Sequence, residues 1–445
     1  RMLPRDVARC ALVVATVGLC GCGARTQLEQ AGATGNSGPS TSSAGGSPTT
    51  GSGGAGGSGG AGGSGPCSDD IALPLRSFDL PPGEVGRQVQ LIASSPDRQR
   101  VSLLTVTGQQ PIPIDGNAQL QAVTFGDGWD QWDDGPIGSP LLLGPATAFA
   151  APHDPANGIT AWVSAETQAS GPFTYFIEEV DPVNATGVGA VMLGFAPVVT
   201  HATALRNGVA SVGYVQVSET MLAQADADVP VLSATDPDLR PLPAPMTGIA
   251  DAVLNDGGFL VAATAPMFVG CDLPLEIAIF RHNLGQPPIE VFRDAPGGII
   301  THMWLRPRPG GAWLMSMVAM NATQALRVVP LLASGEPVGE ALTVPLPLLF
   351  EPATLTVTGI DDGFAWAVLT SDSGEVGSIE VQRFDANGGE TRSWSLNPEG
   401  PPRTDEPLSL LAGPNGNDLM LAWSSYTPAD TIGSSRVLVT RLTCR

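Results

Sequence analysis

The stretch NDGGFLVAATA, residues 255–265, places a turn of Asn, Asp and Gly directly before a run of small and apolar residues. Gly and Asn readily adopt the positive φ angles that tight hairpin turns require. A second apolar run, GIADAVL, begins at residue 248 and leads into the same turn. Two short apolar runs on either side of a turn predict a β-hairpin, with its turn at Gly257.

The same arrangement recurs along the chain. Its other copies are SPDRQRVSLLTV (from residue 95), PANGITAWVSA (155), LRNGVASVGYV (205), RPGGAWLMSMVA (308), DDGFAWAVLT (361) and PNGNDLMLAWSS (414). The turn glycines at positions 158, 208, 257, 310, 363 and 416 recur roughly every fifty residues, a period typical of blade-like β repeats. In several copies a third and a fourth strand follow the hairpin. The pattern therefore predicts an all-β fold, a seven-bladed β-propeller of four-stranded antiparallel blades, with a pair of β-sandwiches as the alternative.

The two ends of the repeat array predict how the ring closes. The last copy ends after its third strand, at residue 444, and the segment DDIALPLRSFDL (69–80) precedes the first copy without a role there. We predict that 69–80 supplies the missing outer strand, so that no sheet edge stays open. Cys67 and Cys444 then lie on neighbouring strands, and we predict a disulfide between them, which exported proteins tolerate. Cys271 is left over, and a bridge from Cys271 to either of the other two is the alternative.

The first 66 residues have the composition of an export signal followed by a linker. Arg5 and Arg9 flank the start of an apolar run, CALVVATVGL (10–19), which is too short to span a bilayer and is typical of a signal-peptide core. Residues 24–66 are rich in Gly, Ser and Ala, and they repeat GGAGGS at 53–64. Such a chain buries too little apolar surface to fold, so we predict a disordered linker. As a Gly-rich coil of some forty residues it reaches roughly 35 Å.

Residues 19–22, Leu-Cys-Gly-Cys, resemble the lipobox of bacterial lipoproteins. Cys20 departs from that pattern, in which Ala, Ser or Thr is usual. The resemblance implies that the signal peptide 1–21 is removed and that Cys22 becomes the lipid-modified first residue. A disordered tether over 22–66 would then carry a propeller over 67–445. The residue after the modified Cys is Gly23 rather than Asp, which in this family implies anchoring in the outer membrane, on the cell surface or the periplasmic side. The alternative to lipid modification is an ordinary secretory signal that is cut nearby.

The net charge of −22 argues against nucleic acid and anionic lipid surfaces as partners. We expect membrane contact through the N-terminal lipid only, a monomer, and an unidentified envelope protein or glycan as partner. The sequence contains no GxSxG motif and no Gly-rich phosphate loop before a helix, and it indicates no catalytic residue.

Three polar residues hold similar places in the first strands of three repeats: His201, Asp251 and His302. First strands line the channel of a propeller, so these side chains are candidate ligands for Zn²⁺ or Ca²⁺ or a candidate acid/base group, with a channel that is merely hydrated as the alternative. We expect no other cofactor. His153 and His282 are expected in turns. The run GDGWDQWDDG (126–135) combines carboxylates with Trp faces that suit Ca²⁺ or a sugar ring, with a solvated insertion as the alternative.

The function predicted from these features is an interaction platform. The connections between second and third strands share one face with those between blades, and they vary most in sequence: QQPIPIDGN, AETQASG, SETMLAQADAD, APMFVGCDLP, SDSGEVG and SYTPADTIG. Variable loops on a rigid frame are where binding usually occurs. The alternative is a propeller hydrolase or lyase that acts on extracellular polysaccharide, with loop carboxylates as acid and base.

Overall fold

The protein is represented by a computed structural model that divides the chain into two units, Arg1–Pro66 and Cys67–Arg445. The structure describes the strands given below together with residues 242, 275, 285–288, 295–298, 309–310, 333–341, 346–347, 349, 354–355, 361–362, 386–389, 408, 413 and 418. The predicted signal peptide, Cys22 and the tether lie outside the described residues. Among the described residues, no helix has the length and apolar character needed to cross a membrane.

The first half of the body contains short and medium strands. In chain order they are β1 (Asp70–Ala72), β2 (Arg76–Asp79), β3 (Glu84–Ala93), β4 (Val101–Gln109), β5 (Ala118–Phe125), β6 (Leu141–Leu143), β7 (Ala146–Ala150), β8 (His153–Asp154), β9 (Ile159–Glu166), β10 (Phe173–Asp181), β11 (Thr186–Ala196), β12 (Thr203–Arg206), β13 (Val209–Gln216), β14 (Glu219–Asp226) and β15 (Asp238–Pro241).

The second half continues in the same way. Its strands are β16 (Gly248–Asn255), β17 (Gly258–Ala265), β18 (Glu276–Asn283), β19 (Ile289–Asp294), β20 (Ile299–Arg308), β21 (Gly311–Met320), β22 (Thr323–Leu332), β23 (Leu342–Pro345), β24 (Thr356–Ile360), β25 (Gly363–Asp372), β26 (Glu375–Asp385), β27 (Glu390–Leu396), β28 (Ser409–Ala412), β29 (Leu419–Thr427) and β30 (Ser434–Cys444).

These strands form antiparallel sheets of four main strands that follow one another along the chain. Within the described residues there are seven: sheet 1 (β3–β6), sheet 2 (β7–β11), sheet 3 (β12–β15), sheet 4 (β16–β19), sheet 5 (β20–β23), sheet 6 (β24–β27) and sheet 7 (β28–β30 with β1 and β2). In sheets 1 and 3 to 6 the strands pair in chain order from first to fourth. The predicted all-β propeller of four-stranded antiparallel sheets is confirmed, while seven blades for the whole chain remains a prediction.

Sheet 7 is completed by the start of the body, as predicted for residues 69–80. Both β1 and β2 pair with β30, with Asp70 opposite Cys444 and Arg76 opposite Val439. Sheet 7 also packs on sheet 1, where the amide of Leu91 donates a hydrogen bond to the Ser409 hydroxyl at 2.8 Å. Cys67 lies outside the described residues, so the Cys67–Cys444 disulfide stays a prediction.

The core consists of apolar layers between neighbouring sheets, and β25 shows how one strand serves two layers. Phe364, Trp366 and Val368 pack with residues of sheet 5. Ala365, Ala367 and Leu369 pack with residues of sheet 7. Because side chains alternate between the two faces of a strand, a strand buried on both faces must be apolar throughout. This explains why the repeats read as continuous apolar runs.

One glycine in the repeat is required by close approach of the backbone. A Cβ added to Gly258, Gly311 or Gly363, the first residue of a second strand, would lie 2.1, 1.9 or 2.0 Å from a carbonyl oxygen of the third strand. In two of these repeats the turn glycine that the sequence period indicated, Gly257 or Gly310, is the residue before the one that requires glycine. Gly310 does have the expected positive φ, at 71°.

The antiparallel order separates the connections onto two faces. The loop face carries the connections between second and third strands and between sheets, and the hairpin face carries the turns from first to second and from third to fourth strands. Two predicted loops are wrong: most of SETMLAQADAD forms β14, and SDSGEVG is reduced to residues 373–374 between β25 and β26. The run 126–135 follows β5 in the sequence and lies outside the described residues.

Candidate functional site

The first strands of sheets 4 and 5 place Asp251 and His302 at equivalent positions. Each follows an irregularity in the ladder, between Ile249 and Asp251 in β16 and between Ile300 and His302 in β20. A β-bulge inserts one extra residue and re-aims the next side chain. The sequence indicated the equivalence of the two residues but gave no signal for the bulge. His201 precedes β12, which begins at Thr203, and lies outside the described residues.

Asp251 is held by groups from its own strand and from the first strand of sheet 5. Its Oδ1 accepts a hydrogen bond from the Ala252 amide at 2.8 Å. Its Oδ2 accepts one from the Leu305 amide at 2.9 Å and forms an ion pair with Nη1 of Arg306 at 2.6 Å. Both carboxylate oxygens are therefore in use within the frame.

Arg306 extends this contact to a third sheet. Its Nη1 also donates to the Leu305 carbonyl at 2.8 Å, and its Nε donates to the Val357 carbonyl of β24 at 3.0 Å. One guanidinium thus ties together the first strands of sheets 4, 5 and 6. We name the set Asp251, Arg306 and Val357 the inner clasp.

Burial dominates the electrostatics of the inner clasp. It raises the pKa of the Asp251 carboxyl above its ordinary value, and the Arg306 charge and the two amide donors only partly oppose this shift. The ionised carboxylate is therefore desolvated more than it is compensated. A buried carboxylate with arginine and amide partners is typical of a structural contact as well as of a functional site.

His302, on the same strand as Arg306, stacks on Trp304, with ring centroids 5.8 Å apart and an interplanar angle of 15°. Burial lowers the pKa of His302, which keeps the imidazole neutral at pH 7. Its Nδ1 is buried and has no hydrogen-bond partner within the described residues. A neutral imidazole nitrogen of this kind retains a lone pair or a proton for a ligand or a water molecule.

The metal-site hypothesis stays a prediction. No group of three or more His, Cys, Asp or Glu side chains that could hold a metal ion is found where the structure describes the chain, and His201 is outside that part. A Zn²⁺ or Ca²⁺ ion at Asp251 would compete with the Arg306 guanidinium and the two amide donors for the carboxylate oxygens.

Other carboxylates of the described sheets are also paired with arginines. Asp294 of sheet 4 meets Arg327 of sheet 5 with Oδ2 to Nε at 2.8 Å, so these sheets are joined at an outer strand as well as at the inner clasp. In sheet 6 the 94% buried side chain of Arg383 donates to both oxygens of Asp362, at 2.8 and 2.9 Å. These arginines are structural because they neutralise carboxylates within the frame.

The arginine of sheet 6 has counterparts that sequence reasoning missed. Arg281, Arg383 and Arg441 lie opposite Leu260, Ala365 and Met420, at the same level of the third strand in sheets 4, 6 and 7. Arg441 pairs with Asp418 at 2.6 Å, just as Arg383 pairs with Asp362. In these three repeats the signal was present as an Asp in the turn between first and second strands and an Arg near the end of the third strand.

His282 corrects a further prediction. It lies within β18 and is fully buried, with its ring near that of Phe259, rather than in a turn. His153 is in the short strand β8, so it is not in a turn either.

Comparison with known proteins gives similarity at the level of the fold. No protein-family model and no curated protein matches the chain. Similar solved structures include the Dos1 propeller (9% identity, TM-score 0.45, covering 83% of this chain and 95% of that chain) and the WD40 domain of Toxoplasma gondii coronin (9%, 0.42, 85% and 89%). A structure from work on two prolyl endopeptidases is also similar (14%, 0.46, 79% of this chain and 47% of that chain). Identities this low carry no information about activity.

Proposed function

We propose that the protein is an exported lipoprotein whose β-propeller is a rigid platform that binds an envelope protein or glycan on its loop face. The observation that carries this proposal is the contrast between the frame and its connections. The frame is joined by apolar layers and by contacts such as the inner clasp. The connections on the loop face differ in length: those at 217–218 and 321–322 have two residues, whereas those at 110–117 and 266–275 have eight and ten.

The way carboxylates are used in the described sheets supports binding over catalysis. A hydrolase or lyase needs an acid and a base that face a substrate. The largely buried carboxylates of Asp251, Asp294 and Asp418 instead form ion pairs with arginines of the frame. None of the described residues gives a specific observation in favour of the polysaccharide-cleaving alternative.

Support for the lipid anchor comes from the sequence of residues 10–23. The experiment that tests it is metabolic labelling of the full chain with an alkyne fatty acid in a Gram-negative host. We expect label in the membrane fraction, loss of the label in Cys22→Ala, and retention in Cys20→Ala as the matched control. Label that survives in Cys22→Ala would contradict the anchor.

The platform is tested by photo-crosslinking in intact envelopes. The photoreactive amino acid p-benzoylphenylalanine would replace Ala295 on the loop face and, in a separate variant, Asn387 in the exposed turn of the hairpin face. We expect a discrete adduct with an envelope component at the loop-face position only. An adduct at Asn387 of equal yield, or no adduct at Ala295 and at a second exposed loop-face position, Thr323 at the start of β22, would refute the platform.

A further inference from the structure

The first described residue of the body, Asp70, lies on the hairpin face. In sheet 7 the connection from β29 to β30 lies on the loop face, so β30 runs from Ser434 at the loop face to Cys444 at the hairpin face. Asp70, the first described residue of the body, pairs with Cys444. Any anchor upstream of Asp70 therefore pulls on the hairpin face.

The same face carries the large exposed hydrophobic side chains of the described residues. These are Ile289 at 55% exposure, Leu332 at 44% and Val338 at 39%. Ile289 begins β19, Leu332 ends β22, and Val338 lies between β22 and β23, so all three belong to the hairpin ends of sheets 4 and 5.

The two sheets are in close contact at this place. A Cβ added to Gly335, in the connection from β22 to β23, would lie 2.5 Å from Cγ2 of Val291 in β19. The turn of sheet 5 thus packs directly on sheet 4, and its neighbours Leu332 and Val338 remain exposed beside it. We name Ile289, Leu332 and Val338 the apolar rim.

The charges around the apolar rim restrict the surface it fits. Glu336 and Glu340 flank Val338, whereas Glu290, next to Ile289, is neutralised by an ion pair with Arg293 at 2.7 Å. Carboxylates at this position repel anionic lipid headgroups but tolerate zwitterionic ones. Three aliphatic side chains give only weak membrane affinity by themselves, and a lipid anchor adds the high local concentration that makes such contact effective.

We propose that the hairpin face is the membrane-facing side of the anchored protein and that the apolar rim contacts a zwitterionic lipid surface. This inference rests on the proposed lipid anchor, because the anchor supplies the proximity. It replaces the expectation from the sequence that the N-terminal lipid is the only membrane contact, because the sequence did not show that Ile289, Leu332 and Val338 are exposed. It also places the loop face away from the bilayer, where a partner can reach it.

The strands β19 and β22 provide matched positions for the test, because each has an exposed residue at both ends. Ile289 and Leu332 lie at the hairpin ends, and exposed Ala295 and Thr323 lie at or next to the loop ends of the same strands. Each position would carry p-benzoylphenylalanine in the full acylated chain, reconstituted in phosphatidylcholine vesicles, and lipid adducts would be quantified by mass spectrometry.

We expect at least about fivefold more lipid adduct at 289 and 332 than at 295 and 323. The reason is that moving a half-exposed side chain of this size from water into the bilayer favours lipid contact at the hairpin ends. Replacing part of the phosphatidylcholine with phosphatidylglycerol should lower the yield at 289 and 332. A photoreactive residue at Asn387, a polar turn on the same face, should give less adduct than either.

The failures are distinguishable. If the chain is not acylated at Cys22, the anchor and this inference fall together. If it is acylated and the yields at the two ends of each strand are equal, the orientation alone is refuted. If Asn387 matches Ile289 and Leu332, contact by the apolar rim is refuted.

Discussion

The inner clasp gives a prediction that can be worked out from its geometry. The change Asp251→Ala removes the carboxylate that accepts from the Leu305 amide and pairs with Arg306. The side chains of Asp251 and Arg306 are 18% and 29% exposed, and Leu305 is 1% exposed. The perturbation therefore leaves a buried amide without its acceptor and a half-buried guanidinium without its counter-charge.

The expected cost lies between those of exposed and buried ion pairs. Exposed pairs contribute about 0–1 kcal/mol, and breaking a buried pair costs about 3–5 kcal/mol. An unsatisfied buried amide alone costs about 1–3 kcal/mol. Since Arg306 keeps its bonds to the Leu305 and Val357 carbonyls, we expect Asp251→Ala to lower the free energy of unfolding by about 3 kcal/mol.

The variant Asp251→Asn keeps the shape of the side chain but removes its charge, so it separates the contribution of the charge to stability from that of the hydrogen bonds. Because burial raises the pKa of Asp251, loss of its charge alone should be tolerated, and Asp251→Asn should cost about 1 kcal/mol through the Ala252 amide. Glu290→Ala, at the exposed ion pair with Arg293, is the surface control and should cost less than about 1 kcal/mol.

The assay is urea unfolding of the full chain followed by tryptophan fluorescence, with stability compared at unchanged m. From the largest to the smallest loss of stability, the predicted order is Asp251→Ala, Asp251→Asn and Glu290→Ala. If Asp251→Ala costs no more than Glu290→Ala, the inner clasp does not hold the sheets together and the reasoning fails.

Four further predictions use the same assay or simple mapping. Gly310→Ala should cost about 1–2 kcal/mol, because the φ of 71° at Gly310 is unfavourable for Ala, and Gly311→Ala should cost several times more, because only its Cβ meets the Leu331 carbonyl; equal urea midpoints would refute this. Non-reducing peptide mapping should recover Cys67 linked to Cys444, and Cys444→Ser should cost about 6 kcal/mol in the chain-entropy model; a Cys271-linked peptide would overturn the pairing. Because burial lowers the pKa of His302, the unfolded state binds its proton more tightly, so wild-type stability should fall below about pH 6.5 relative to His302→Gln, and parallel pH profiles would contradict this. Since Asp251 is engaged by Arg306, Zn²⁺ and Ca²⁺ should not raise the unfolding midpoint; a rise abolished by His302→Gln would support the three-residue metal site instead.

The sequence by itself determined the repeating unit, because a strand buried on both faces needs an apolar run and a tight turn needs Gly, Asn or Asp. It also located the closing strand, since a blade that lacks its fourth strand leaves an open edge. β1 and β2 fill that edge against β30.

Only the tertiary structure decided what the polar residues do. The equivalence of Asp251 and His302 was visible in the repeats, but the partner of Asp251 comes from position 306, on another sheet. The same holds for Asp294 with Arg327 and for the glycine that faces a carbonyl of the third strand, at 311 rather than 310. A repeat pattern records which residues share a strand position, whereas ion pairs and close backbone contacts depend on distances between strands that the chain order does not contain.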